Sequence, residues 1–304
     1  MTRRIAIMTE EPGWHGEMLS AAFSRRRCEA VFVSLADCRI DLDCDFGLSI
    51  PGFSGALPDA VLVRGIAAGT LEQITLRLGI LHALRELEVP VYNDARAIER
   101  SVDKSMTSFL LKTARVPTPP TWVTESAEQA RRYVMRETAV GRELVIKPLF
   151  GSQGVGLKRL ASVADLPSEV EYNQVFYLQR FIDSGEGRWH DWRVFVVGHR
   201  SVAAMIRRGK DWINNVARGA AYEFAPLDED LCRLSEGATR ALNMDYAGVD
   251  IIRNAQGQAF VVEVNSMPAW AGLQEVSEVD IAQTLVDDLL ARRLPRLTLD
   301  SVSL

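Results

Sequence analysis

Apolar residues follow two rhythms along this chain. Over the first 95 residues, short continuous runs alternate with longer helix-spaced stretches. RIAIMT (4–9), EAVFVS (29–34), DAVLVRG (59–65) and VPVYN (89–93) have the pattern of buried strands, and residues 16–27 and LEQITLRLGILHALRELE (71–88) fall between them as helices. Strand and helix in alternation predict a parallel α/β layer. From residue 101 the rhythm changes. SVDKSMTSFLLKTARV (101–116) predicts a helix stopped by Pro117, Pro119 and Pro120. TWVTE and ELVIKPL (143–149) read as strands around a helix near 126–138, and YLQRFID (177–183), WRVFVVG (192–198) and RSVAAMIRR (200–208) as further sheet strands. DEDLCRLSEGATRALN (228–243) is helical, AGVDIIRNAQGQAFVVEVNS is a hairpin, and a last helix occupies about 277–292.

Composition narrows the class without naming an activity. A length of 304 residues, 47% hydrophobic and 25% charged, suits two or three packed subdomains. The formal charge of -5 gives no whole-protein attraction for nucleic acid or an anionic membrane. Cys28, Cys38, Cys44 and Cys232 form no CxxC pair, and the four histidines form no HExxH, which argues against structural zinc and for reduced thiols. The N-terminus turns polar too soon for a signal peptide, and no run of about 18 apolar residues occurs. A soluble, cytoplasmic protein is expected, with neither nucleic acid nor membrane as partner.

Three constellations carry candidate chemistry. In KPLFGSQGVG (147–156) a strand enters a glycine-rich loop and leaves as a strand, which is neither a dinucleotide fingerprint nor a P-loop. Backbone N–H groups of such a hairpin can lie over phosphates, with Lys147 as a point charge; the alternative is a flexible hairpin with an exposed lysine. In the hairpin, Glu263 and Asn265 lie two apart and share a face. An even-length turn places Asp250 on that face too. Three oxygen donors suit Mg²⁺, whereas the alternative is pairing of Asp250 and Glu263 with arginines on a solvated face. The third set, Arg193, Arg207, Arg208, Lys210, Asn214, Asn215 and Arg218, would suit an anionic transition state or be a solvated face.

Taken together these stretches resemble the ATP-grasp carboxylate–amine ligases, in the RimK-type α-L-glutamate ligase branch. VDKSMTSFLL, VPTPPTWV, VIKPLFGSQGVGL, YLQRFID, HDWRVFVVG, NNVARGA, AGVDIIR and FVVEVNSMPAWAGL occur in family order. The resemblance implies an α/β (α+β) ATP-grasp fold: a parallel α/β domain at 1–97, a small lid subdomain at 98–182 and a catalytic subdomain at 183–304. It implies ATP with Mg²⁺ or Mn²⁺. Lys104 and Lys147 would contact phosphates, with Gly151, Ser152, Gln153 and Gly154 in the covering loop. Gln179, Arg180, Phe181 and Ile182 would meet the adenine, Asp191 the ribose side, and Asn215 the phosphates. Asp250, Glu263 and Asn265 would hold the metal, and Arg193 and Arg218 would face the transferred phosphate. The implied reaction is attack of a carboxylate on the γ-phosphate, then displacement of phosphate from the acyl phosphate by an amine. Two departures stand out. Ile213 replaces an arginine of the branch, leaving that contact to Arg207 or Lys210, and the usual N-P-G ending reads NSMPAWAG.

Within the branch the chain is most similar to ligases that join glutamate to a cofactor, as tetrahydromethanopterin:α-L-glutamate ligases do. A small-molecule carboxylate acceptor and L-glutamate are the implied partners, and a homo-oligomer the implied assembly. Candidates for substrate contact are Trp14 and His15 in the loop EPGWHG, together with Arg64, Arg207 and Trp270. Trp270 either stacks on a ring-containing substrate or packs, and Trp14 and His15 either meet the acceptor or start a helix. A ligase for peptide or protein C-termini and a non-catalytic ATP-binding regulatory module are the competing functions.

Overall fold

The computed structural model describes residues 2–151, 154–185, 189–213 and 219–294. Among them the chain forms two compact units, one of residues 2–95 with 269–274 and 278–294, the other of 96–268 with 275–277.

The first unit is built on the alternation expected from the sequence. β1 (Arg3–Met8), α1 (Gly13–Arg25) and β2 (Cys28–Val33) are followed by a ribbon of β3 (Arg39–Ile40) and β4 (Leu48–Ser49). β5 (Ala60–Val63), α2 (Leu71–Glu86) and β6 (Val91–Tyr92) complete the layer. The strand order is β2-β1-β5-β6, and every pair is parallel. Ile5–Met8 of β1 and all of β5 are inaccessible, which explains their unbroken apolar runs. α2 starts on a capping box, in which Thr70 N–H donates to Gln73 Oε1 at 2.9 Å and Gln73 N–H donates back to the Thr70 hydroxyl.

The second unit is antiparallel. The helix expected over 101–116 is two helices, α3 (Ala95–Val102) and α4 (Lys104–Thr113). Asp103 breaks the run because its carboxylate caps α4, accepting from Ser105 N–H at 2.8 Å and Met106 N–H at 3.1 Å. β7 (Thr121–Thr124), α5 (Ala127–Thr138), β8 (Leu144–Lys147), β9 (Lys158–Leu160) and β10 (Phe176–Arg180) follow, and their sheet has the order β7-β10-β8-β9. One face packs on α5 through Leu144, Ile146, Leu178 and Val134.

β11 (His190–Val197), β12 (Arg200–Arg208), β13 (Ala221–Phe224), α6 (Glu229–Leu242), β14 (Tyr246–Arg253) and β15 (Ala259–Asn265) form the other half. The sheet runs β13-β12-β11-β14-β15, with one face on α6 through Val194, Val196, Val249, Ile251, Val261 and Val264. β13 has no apolar run to announce it; three of its four residues are exposed. α7 (Ala271–Val276) and α8 (Ile281–Arg293) are the last elements among the described residues. α8 belongs to the first unit, where Asp288 accepts from the Tyr92 hydroxyl at 2.7 Å. It begins at residue 281 rather than 277 because Asp280 is its N-cap.

Candidate functional site

The face of the five-stranded sheet turned away from α6 collects the charged strand residues. Arg193 stands directly opposite Asp250, Asp250 opposite Glu263, Gly248 opposite Asn265, and Asp191 opposite Arg207. The carboxylates thus share a face, but not through an even-length turn. Residues 254–258 make a five-residue turn, and Val262 is an extra residue, a β-bulge between the pairs Asp250–Glu263 and Ile251–Val261. Without the bulge Asp250 would oppose Val262 and Glu263 would point into the α6 core. With it, Val261 and Val264 both enter that core and Glu263 joins Asp250.

Asp250 is held by arginines, as the alternative to a metal site required, yet on a buried face rather than a solvated one. Arg193 Nη2 donates to its Oδ2 at 2.8 Å, Arg193 Nε to its Oδ1, and Arg207 Nη2 lies 3.1 Å from Oδ1. Arg207 also forms a two-pronged pair with Asp191, its Nε donating at 2.9 Å. Burial tends to raise the Asp250 carboxyl, but the Arg193 and Arg207 guanidiniums outweigh it and hold the group below the usual carboxylate range. Burial pushes Asp191 up, against the pull of Arg207.

Glu263 and Asn265 are only partly buried. Asn265 Nδ2 donates to the Gly248 carbonyl at 3.4 Å, which leaves Oδ1 as the acceptor atom of the side chain. Two carboxylates and an amide oxygen on one face are a hard donor set that fits Mg²⁺ or Mn²⁺. Among the described residues no group of three His, Cys, Asp or Glu side chains forms a metal cluster.

The lysines come from the other sheet and from α4. Lys147 ends β8, opposite Tyr177, and its Nζ donates to Gln179 Oε1 at 2.7 Å. Gln179 Nε2 in turn donates at 3.1 Å to both Thr121 and Tyr177, whose hydroxyl meets Ser108 at 2.7 Å. Gln179 is therefore a clamp on Lys147. Burial pushes the Lys147 ammonium down to about 8, Glu263 and Asp250 resisting and Lys104 assisting. Lys104, at the first position of α4, donates to the Gly151 carbonyl at 2.7 Å and is also lowered by burial. Lys104, Ser108, Tyr177 and Glu263 line one small cleft.

The glycine loop folds back on Pro148. A Cβ on Gly156 (φ +73°) would come 2.7 Å from Pro148 Cγ, so only glycine fits this turn. Gly154 has φ +70°. Ser152 and Gln153, expected over the phosphates, lie outside the described residues, as do Asn214, Asn215 and Arg218. In the linker, the N–H groups of Arg180 and Phe181 are taken by Pro120 O at 2.8 Å and Glu143 O at 2.9 Å. Arg180 pairs with the buried Glu137 at 2.7 Å, and the Phe181 ring carries Arg159 at 4.2 Å and meets Trp212 edge-on at 6.0 Å. Ile182 follows, partly buried. Arg208 pairs with Glu223 on the exposed edge, the solvated-face alternative.

The remaining substrate candidates assemble in the first unit. β1 is followed by β2 on one side and the chain then crosses to β5 on the other, so the strand order reverses between β1 and β5. Ligands of α/β sheets bind beyond the carboxyl ends of strands at such a point. Arg64 leaves β5 there, its N–H donating to Met8 O at 2.8 Å. Trp14 and His15 lie in the first turn of α1 rather than in a loop, because the helix starts at Gly13. Trp270 packs: it is 1% exposed, its backbone N–H donates to His15 Nε2 at 3.0 Å, its ring lies 4.5 Å from the imidazole, and Arg64 sits 4.8 Å over it. Trp14 meets His15 edge-on at 5.1 Å and is 40% exposed. Burial first, then Arg64, pushes His15 down to about 4, so it is neutral and accepts through Nε2.

Sequence reasoning missed Gly248. A Cβ there would stand 3.0 Å from Arg193 Cδ and 2.8 Å from Pro268 Cβ, so this glycine lets Arg193 cross the strand to Asp250. A glycine inside a strand was the available signal. Thr121, Ser108 and Tyr177, which hold the lysine clamp, carried no signal beyond being polar.

Residues 101–289 match the RimK-like ATP-grasp domain. The tetrahydromethanopterin:alpha-L-glutamate ligase of Methanococcus maripaludis is 31% identical over 293 residues, 94% of this chain and 98% of that protein. The ribosomal protein bS6–L-glutamate ligase of Escherichia fergusonii is 32% identical over 67% of this chain and 69% of its own. The solved structure of the ATP-grasp ligase PsnB with a phosphomimetic variant of its minimal precursor, Mg and ADP covers 96% of this chain and 99% of its own at a TM-score of 0.72 and 21% identity. No helix among the described residues is long and apolar enough to cross a membrane.

Proposed function

The chain belongs to the RimK-like ATP-grasp family, ligases that form C–N bonds with ATP, and from that premise we propose that it joins L-glutamate to a carboxylate of a small pterin-type cofactor. The observation that supports the acceptor is agreement among relatives. Three tetrahydromethanopterin:alpha-L-glutamate ligases match at 30–37% identity, one of them over 94% of the chain with the first unit included.

The site suits activation of a carboxylate by phosphoryl transfer. Asp250, Glu263 and Asn265 would hold Mg²⁺ or Mn²⁺, which neutralises phosphate charge when bound. Lys147, held by Gln179, and Lys104 would take phosphate oxygens as point charges. Base contact would run through Ile182 and the linker carbonyls, since the Arg180 and Phe181 N–H groups are engaged. Arg193 would stabilise the transferred phosphoryl group, with Gln153, Asn215 and Arg218 completing the nucleotide contacts. Positioning and charge do the work, so no covalent nucleophile is required. In the first unit, Trp14 at the exposed rim of the His15–Arg64–Trp270 stack would meet the pterin ring.

The test is incubation with Mg-ATP, L-glutamate and separate acceptors: a reduced pterin bearing a carboxylate, and peptides ending in glutamate. A glutamyl adduct on the pterin with matching ADP release is expected. Adducts on the peptides alone would transfer the activity to a protein or peptide tail.

A further inference from the structure

Three side chains, Glu143, Arg159 and Trp212, converge on Phe181 in the linker after β10. The Phe181 N–H donates to the Glu143 carbonyl at 2.9 Å, and the Glu143 carboxylate accepts from Arg159 Nε. The Arg159 guanidinium lies 4.2 Å from the centre of the Phe181 ring, which Trp212 meets edge-on at 6.0 Å. Glu143 therefore fixes Phe181 twice, through its own carbonyl and through the arginine it aims. Arg159 stands on β9 opposite Val145, three residues beyond the last glycine of the glycine loop. β8 pairs in turn with β10, whose last residue, Arg180, opens the linker. Arg159 and Glu143 are each about one-third exposed, so the ion pair contributes little to stability. What it supplies is the orientation of a planar cation over a ring.

We infer that Arg159 is a positioning residue for recognition of the nucleotide base, acting through Phe181. The inference rests on the reading of residues 179–182 as the base contact. With the Arg180 and Phe181 N–H groups engaged, recognition falls to Ile182 and the linker carbonyls. Adenine offers an amino donor and a ring acceptor where guanine offers a carbonyl acceptor and a ring N–H donor. Backbone groups reject the wrong pattern only while they are held in one place, since a linker free to shift can meet either purine. Arg159 thereby sets the preference for adenine by holding the ring of a linker residue still.

The experiment measures Kd for Mg-ADP and Mg-GDP by calorimetry on the full-length protein, which makes it independent of the acceptor. Arg159→Met keeps the stem and removes the planar cation. It should weaken ADP about 2- to 5-fold, the size of a cation–π contact at a partly exposed site, and leave GDP nearly unchanged. The ADP to GDP preference then falls by the same factor. Phe181→Leu should lower the preference similarly, and Arg159→Met should add nothing further in that background. Arg159→Lys keeps the charge without the plane and should retain part of the preference; in both backgrounds it serves as the test if Arg159→Met does not fold. An unchanged preference in Arg159→Met overturns the inference, as does a wild type that binds both nucleotides equally. Additive losses in the double variant overturn it in favour of a direct contact between Arg159 and the nucleotide. Photolabelling with 2-azido-ADP separates the two levels. Label outside residues 177–183 makes the linker reading wrong; label within them, with the preference unchanged in Arg159→Met, removes only the role of Arg159.

Discussion

The carboxyl end of the parallel sheet in the first unit and the charged face of the antiparallel sheet in the second solve a similar problem by different means. Each gathers polar side chains from distant parts of the chain, and each pushes a basic group toward neutrality by burial: His15 to about 4, Lys147 to about 8. Around His15 the neighbours are aromatic rings and the Arg64 cation, and neither restores charge to the imidazole. Around Lys147 the neighbours are Glu263 and Asp250, and an incoming phosphate would add more negative charge. The first cluster is therefore held by shape, and the second by paired charge laid out by strand register. Burial alone does not say whether a titratable group is structural; the sign of what surrounds it does.

The contrast breaks most severely at Trp270. Trp270→Ala should remove about 3–5 kcal/mol of stability, the range for emptying a fully buried Trp site, as read by urea unfolding. A loss below about 1 kcal/mol would show that shape does not hold that cluster.

Glu263→Gln addresses the charged face. Turnover should fall about 100-fold or more, roughly 2.7 kcal/mol of transition-state stabilisation, while the urea midpoint stays close to wild type because Glu263 is only partly buried. ADP release at saturating ATP measures it, and unchanged turnover would remove Glu263 from the site.

Proton linkage sharpens the comparison. Lys147 in the free protein loses its proton as pH rises through about 8, below its ordinary 10.5. Phosphates restore the charge, so ATP binding at pH 9 should take up as much as about one proton, and at pH 6.5 almost none through this group. Calorimetry in buffers of different ionisation enthalpy reads the uptake, and Lys147→Met should abolish it.

The smallest effect is expected at His15. Its folded value, about 4, lies below the ordinary 6.5, so the unfolded chain gains the proton first as pH falls. The stability from keeping it neutral is complete above pH 6.5 and is lost progressively down to about pH 4. Because the ring is only half-buried, the wild-type minus His15→Gln difference should be about 1 kcal/mol across that window. A flat difference would place His15 in water.

The run of apolar strands and helix-spaced stretches was enough, by itself, to determine the parallel layer, the strands of both later sheets apart from β13, and the helix over 228–243. Those signals are local: burial on both faces demands unbroken apolar runs, and a cap needs its residue next to the helix it starts. Lys147 before a glycine loop, and Asp250 ahead of Glu263 and Asn265, were legible for the same reason, since a charged group inside a strand conflicts with its neighbours unless something opposes it. Short edge strand β13, the break at Asp103 and the start of α1 at Gly13 were decided by hydrogen bonds and packing with no apolar period. Only the tertiary structure decided that Val262 bulges to bring Glu263 opposite Asp250, that Asp191 faces Arg207, that Gly248 makes room for Arg193, and that Trp270 packs between His15 and Arg64. These depend on which strands become neighbours and in what register, and the free energy that selects register comes from the whole sheet and the helix beneath it rather than from any one stretch of sequence.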